Sequence, residues 1–451
     1  VVNNGGPGVD LANSNTRNNT IAGNIIGANP TTHAAMPNGI GIRMYGGTFS
    51  NTVGGAASGL ANVLSGNASH GIGLYNSGTI SNVIVGNSIG TNLTGSLALP
   101  NAQYGIVIQE AASSNVITGN LISGNGSDGV NLNGAGTRLN LILGNTIGTV
   151  QGGNAALPNA GNGVAIQSGA TENRIGALTA RHEMNTISGN ALAGVLVSGL
   201  TTVSNTLPAN RIGTSASGMA AVPNGGAGIS LLGARSTDIC VSASFPSLIG
   251  GNLGPGILIS GGDRNRVLST CHMGLAADLT SPLGNGLAAR QPGISLTNTL
   301  SNFVVAGTVA NNGGDGIALA GSSLANILLS LSAYANGGIP VDLNDDGPTL
   351  NDPGDVDGGP NTLLNYPVVS TRAGDTITGT ACANCEVDVY FAYASTQLPG
   401  GAVRWEAFTF ANAAGVFSVV LPASIMNHGV SYALQAHQYP AGGLNSSEIS
   451  P

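Results

Sequence analysis

The chain has 451 residues, of which 7% are charged and 4% aromatic, while the hydrophobic fraction is an ordinary 42% and glycine alone numbers 72. That apolar content excludes a disordered chain despite the low charge, and the length points to a repeat architecture or several domains. A net charge of −8, with arginine for all 12 basic residues and no lysine, excludes nucleic acid as a partner, and no apolar run is long enough to span a bilayer.

In chain order, the first recurring element is Gly, aliphatic, any residue, aliphatic. It stands at Gly8-Val9-Asp10-Leu11, Gly39-Ile40-Gly41-Ile42, Gly71-Ile72-Gly73-Leu74, Gly105-Ile106-Val107-Ile108 and Gly129-Val130-Asn131-Leu132, and returns as far as Gly338-Ile339. Its period of two predicts short strands with one buried face. Between these strands lies a second element, as in Ile84-Val85-Gly86-Asn87 and Ile142-Leu143-Gly144-Asn145. Its aliphatics suit a core column, and Gly-Asn suits a corner that needs a left-handed residue. Asn repeated at the same corner is expected to stack into an amide ladder. Every second coil also carries an insertion, Ile-Gly-Thr…Pro-Asn, marked by Gly27, Gly90, Gly148, Gly213 and a decayed copy at Gly274. Insertions of this kind emerge as a row of loops on one side. The whole predicts a right-handed parallel β-helix over residues 1–341, with about eleven coils in a two-coil super-repeat.

Composition shifts after Gly338. Residues 342–365 form an acidic connector in which Asp345, Asp346, Asp352, Asp355, Asp357 and Asn361 supply the oxygen-rich, flexible chemistry that Ca²⁺ prefers. A solvated linker is the plainer alternative. Residues 366–451 read as a small antiparallel β-sandwich, immunoglobulin-like, of about seven strands that hold most of the aromatics. Cys382 and Cys385 flank a turn there and lack a second ligand pair for zinc, so a local disulfide is expected. Cys240 and Cys271 lie one coil apart and form a disulfide if their columns are in register. An even cysteine count in such a chain places it outside the cell or on its surface.

The Gly-Ile-x-Ile and Ile-x-Gly-Asn repeats, the Ile-Gly-Thr…Pro-Asn insertion and the Asp345-Asp346-Gly347…Asn365-Tyr366-Pro367 block resemble right-handed β-helix repeat proteins of bacterial surfaces. The closing Asn445-Ser446-Ser447-Glu448-Ile449-Ser450 is similar to the last strand of the sandwich in such proteins. The resemblance covers almost the whole chain and implies architecture; it implies no activity.

Parallel β-helices can carry polysaccharide lyases and hydrolases, which need clustered carboxylates with a basic partner. The best cluster is Arg235 and Asp238 on one coil with Asp263, Arg264 and Arg266 on the next, a patch able to hold a uronic acid; the plainer reading is a surface ion-pair ladder. Arg181-His182-Glu183 reads as a solvated turn. Histidine and aromatics are scarce on the coils, which leaves few platforms for sugar stacking. No convincing catalytic constellation emerges. Only seven residues precede Gly8, and no amphipathic cap covers that coil, so its strand edges can accept another copy of the chain. The leading expectation is therefore a non-enzymatic extracellular structural protein, assembling head to tail with copies of itself into a filament, sheath or surface layer. The alternative is a carbohydrate-active or carbohydrate-binding surface protein, or an adhesin, with surface glycans as partners.

Overall fold

The structure is a computed structural model that describes residues 1–450 apart from 33, 243, 306, 393–402, 422–430 and 439–444. Three long sheets of parallel strands wind into a right-handed parallel β-helix. The first sheet stacks 12 strands from Val9–Ala12 to Val341–Leu343, and the second stacks 11 from Thr20–Ile21 to Ile327–Leu328. The third runs from Ile25–Ile26 to Ser332–Tyr334 and then continues into four further strands near the C-terminus.

Register follows the repeat. Ile42, Ile72, Ile106 and Val130 occupy one column of the first sheet, each paired with its neighbour in the next coil. These residues are fully buried with Ile26, Ile84, Ile89 and their successors in one continuous apolar core. Strand alternation therefore leaves the second and fourth positions of each first-sheet strand facing outward.

Asparagine ladders run along all three corners. One passes from Asn38 through Asn67, Asn101 and Asn125 to Asn159, each Nδ2 donating to the next Oδ1 at 2.8–3.1 Å. A second includes Asn62, Asn87, Asn120 and Asn145, and a third Asn51, Asn82, Asn115 and Asn140. Successive coils are thus bonded through side chains as well as backbone. The insertions form the expected row, each closed by an antiparallel bridge: Ala28 to Ala35, Thr91 to Ala98, Thr149 to Ala156, Thr214 to Ala221 and Leu275 to Pro282. At their root, Gly148 has φ 86°, and a side chain there would strike the Asn190 carboxamide and the Ser188 carbonyl.

Beyond the coils, strands Val368–Ala373, Thr376–Thr380 and Val416–Val420 form one antiparallel sheet. Strands Val403–Phe410, Glu386–Ala392, Ser431–Gln438 and Asn445–Ser446 form the other, which joins the third sheet of the β-helix where Ser332–Tyr334 pairs antiparallel with Val403–Phe410. The sandwich thereby covers the last strand edge of that sheet. Both expected disulfides are present, Cys240–Cys271 between neighbouring coils and Cys382–Cys385 across the turn.

Candidate functional site

Three outward columns run along the early coils of the first sheet. In the second coil Gly41, and not Gly39, takes the motif position, since Ile42 pairs with Ile72; one residue before the motif glycine stand Ile40, His70, Tyr104, Asp128 and Asn162. The second strand position gives Arg43, Gly73, Val107, Asn131 and Ala165; the fourth gives Tyr45, Tyr75, Gln109, Asn133 and Gln167. Val107, Asn131 and Ala165 point outward yet have no exposed surface. The taller side chains of the flanking columns therefore enclose a trough with small residues on its floor.

Aromatic rings concentrate here. The His70 and Tyr104 rings stack with centroids 5.2 Å apart and planes 16° from parallel. The Tyr75 ring lies across Gly73, where a β-carbon would collide with it. The Arg43 guanidinium sits 4.5 Å from the Tyr45 ring centre and donates to both oxygens of Asp10, at 3.0 and 2.7 Å. The sequence expectation that stacking platforms are few holds for the coils as a whole, but the stacking of coils gathers these into one place.

Several polar groups of the trough are buried without a partner in the chain. Burial pushes His70 down to about 4, so at neutral pH it is an uncharged imidazole, and its Nδ1 has no protein partner. Burial, with the charge of Glu110, pushes Tyr75 up to about 12, so its hydroxyl keeps its proton. Asn131 donates to Asp128 at 2.8 Å, but the Oδ1 atoms of Asn131 and Asn133 lack donors. Of the ten buried side-chain polar atoms without a hydrogen bond among the described residues, three belong to this trough. Each unmet group costs about 1–3 kcal/mol.

The charged cluster expected from sequence does assemble, as an ion-pair ladder. Arg266 grips Asp238 through two bonds of 2.6 and 2.5 Å, and Asp263 lies 3.1 Å from Arg235 and 3.5 Å from Arg264. Both carboxylates are occupied by guanidinium groups of the same cluster. Arg264 sits at a left-handed corner, φ 54°, which turns its side chain to solvent.

The acidic connector divides in two. Asp345 joins Asp315 and Asp342, and Asp352, Asp355 and Asp357 form a separate group; in each the carboxylate oxygens lie within 4.8 Å of one another and could hold a metal ion. Asp346 instead accepts from Asn344 at 2.9 Å. Asn361 does not belong with either group: it is fully buried, accepts the Asn326 amide at 3.0 Å, and donates to Asn326 and Ser446 carbonyls, which makes it the last rung of an asparagine ladder.

In the sandwich, Ser446, His437 and Asp388 form a hydrogen-bonded chain, with His437 Nδ1 2.8 Å from Ser446 Oγ and Nε2 3.2 Å from Asp388. All three are buried, and Ser446 Oγ already accepts the Leu328 amide at 3.0 Å, so the chain is a seam joining sandwich to coil with no surface for a substrate.

No protein-family model matches the sequence, and no curated protein matches it either. Among solved structures, a mutant of the periplasmic alginate epimerase AlgG is 13% identical over 69% of this chain and 67% of its own, with a TM-score of 0.32. The enzymatically active domain of bacteriophage CBA120 tailspike protein 2 is 10% identical over 99% and 72%, at 0.34. The A-module of the Azotobacter vinelandii mannuronan C-5 epimerase AlgE4 is 15% identical over 77% and 91%, at 0.24. The leading sequence expectation, a non-enzymatic head-to-tail filament protein, is corrected here: the solved structures given above are epimerases and an enzymatically active tailspike domain, and none of them is named as a filament protein. At such low identity the likeness concerns the fold, and the function is argued from side chains alone.

Proposed function

We propose that this chain is an extracytoplasmic carbohydrate-binding protein that holds an uncharged glycan along the first sheet, over the strands from Ile42–Tyr45 to Val164–Gln167. The observation that supports it is the trough itself: Tyr45, Tyr75, Tyr104 and His70 offer ring faces, beside three buried polar atoms that lack partners. Sugar rings present apolar faces for stacking and rims of hydroxyls for such acceptors. Glu110 and Asp128 flank the trough, and its one cation, Arg43, is engaged by Asp10, so charge disfavours a uronic acid. Two disulfides support a location outside the cytoplasm.

Affinity electrophoresis against a panel of neutral and acidic polysaccharides tests the reading. Wild type is expected to be retarded by a neutral polymer. Tyr75→Ala and Tyr104→Ala should each weaken retention roughly 3- to 10-fold, from about 0.5–1.5 kcal/mol per lost aromatic contact. Unchanged retention in the double variant would remove the trough from consideration.

A second reading concerns Asp352, Asp355 and Asp357, which we propose as a calcium site on the strength of their converging oxygens. Calorimetric titration of chelator-treated protein with CaCl₂ should show one binding event that Asp355→Asn abolishes, and an absence of heat in wild type refutes it.

A further inference from the structure

Far from the trough, on the third sheet, arginines collect without matching acids. Strand Arg211–Ile212 lies between Thr186–Ile187 and Ser247–Ile249. Two loops bracket it. One contains the turn Arg181–Glu183 and is tied down by Ala177, whose N–H and carbonyl bond those of Ala209 at 3.0 and 3.1 Å. The other follows Cys240, is rooted by the disulfide to Cys271, and reaches the first through Ser242 Oγ donating to the Leu178 carbonyl at 3.1 Å. Met184, Ala177 and Ala209 pack with Phe245 beneath them as a small apolar cluster.

Within this frame Arg174 pairs with the Glu183 carboxylate at 3.5 Å. Arg181 lies over the Phe245 ring at 5.3 Å and makes no ion pair among the described residues. Arg211 is half-buried, and its Nε is out of reach of solvent and donates to nothing. The proximity of Arg181 and the burial together disfavour its charged form. Of Arg174, Arg181 and Arg211, only Arg174 is ion-paired among the described residues, in a chain whose net charge is −8. A surface arginine left to water explains Arg181; it does not explain a desolvated donor beside a second cation.

We propose that Arg211 and Arg181 form an oxyanion-binding site, built to take a sulfate or carboxylate group between them. Guanidinium groups match such ligands with paired N–H donors, and an anion held by their terminal N–H groups would cancel the repulsion between the two arginines. The site is separate from the glycan trough and does not depend on it.

Calorimetric titration of the whole chain with sodium sulfate, and separately with oligogalacturonate, at matched ionic strength tests this. Wild type should bind at least one of the two. Arg211→Met should weaken that binding at least tenfold while leaving the unfolding midpoint in chloride equal or higher, since it removes an uncompensated charge. Should Arg211→Met fail to fold, Arg181→Ala, on an exposed turn, should weaken binding by several fold. Binding of sulfate alone identifies a sulfate ester or inorganic anion as the ligand; binding of oligogalacturonate alone identifies a uronate. Absence of binding by both probes, or equal binding by wild type and variants, overturns the site.

Discussion

At the scale of single residues, asparagine is the structural currency of this molecule. Asn115 shows why: its Oδ1 accepts both the backbone and side-chain N–H of Asn82 at 3.0 Å, and its own Nδ2 donates to Asn140 Oδ1 and to the Thr79 and Ser113 carbonyls. Substitution by leucine keeps the branched shape, adds some volume, and removes every one of these side-chain bonds. The buried backbone and side-chain N–H donors of Asn82 lose this acceptor, at about 1–3 kcal/mol each. Urea unfolding of Asn115→Leu should therefore show a loss of about 2–5 kcal/mol, and a loss below about 1 would mean the ladder is ornamental. The ladders were legible in sequence because Gly-Asn recurs at fixed offsets. The trough was not, because His70 and Tyr104 are separated by a whole coil and neither lies in a motif. Aligning the repeats on the motif glycine puts His70, Tyr104 and Asp128 in one column and Tyr45 and Tyr75 in another, which is the signal that would have found it.

At the scale of elements, the strands of the coil and the insertions were readable because period-two alternation and a repeated insertion are local patterns. The junction of coil and sandwich was not readable, since it joins residues about a hundred positions apart. There the buried Glu448 carboxylate accepts the amides of Leu343 at 3.0 Å and Thr349 at 2.9 Å. Burial pushes Glu448 up from 4.5 to about 7 and Asp342 up to about 6, and Asp315 and Asp345 are raised as well. A raised carboxyl binds its proton more tightly in the folded state than in the unfolded one. Its stabilising effect is present at low pH and is lost as pH rises through the folded value. The junction should accordingly weaken between about pH 4.5 and 7 and change little above that. Hydrogen exchange across residues 343–349 and 445–449 is expected to quicken by more than its intrinsic pH dependence over that window. Glu448→Gln should flatten the upper part of the slope and leave the lower part, which belongs to Asp342. A slope unchanged by the substitution would assign the effect to other groups.

At the scale of the whole molecule, a parallel β-helix is nearly one-dimensional: each coil touches chiefly its neighbours, with only loop contacts such as Ser242 to Leu178 and Ala216 to Gly153 reaching one coil further, and stability is close to a sum over coils and the contacts between them. A defect in one coil is therefore felt locally. The rungs of one ladder pass from Asn205 to Asn265 across Thr237, which carries an unpaired buried hydroxyl, so that corner lacks its amide pair. Cys240–Cys271 spans the same pair of coils, with a sequence separation of 31. We read the disulfide as the staple for a ladder that is interrupted at this point. Closing a loop of that size is worth roughly 3–4 kcal/mol in the chain-entropy account. Replacing both cysteines with serine should open the coils around residues 237–273 to hydrogen exchange while the coils from 42 to 167, with three unbroken ladders, keep their protection. Uniform loss of protection along the chain would show that the coils unfold as a single cooperative unit, and the local account of the disulfide would fall. Local loss would have a further consequence, because the arginine-lined loops root in the same staple: anion binding there should weaken in the cysteine variant, whereas glycan retention by the distant trough should not.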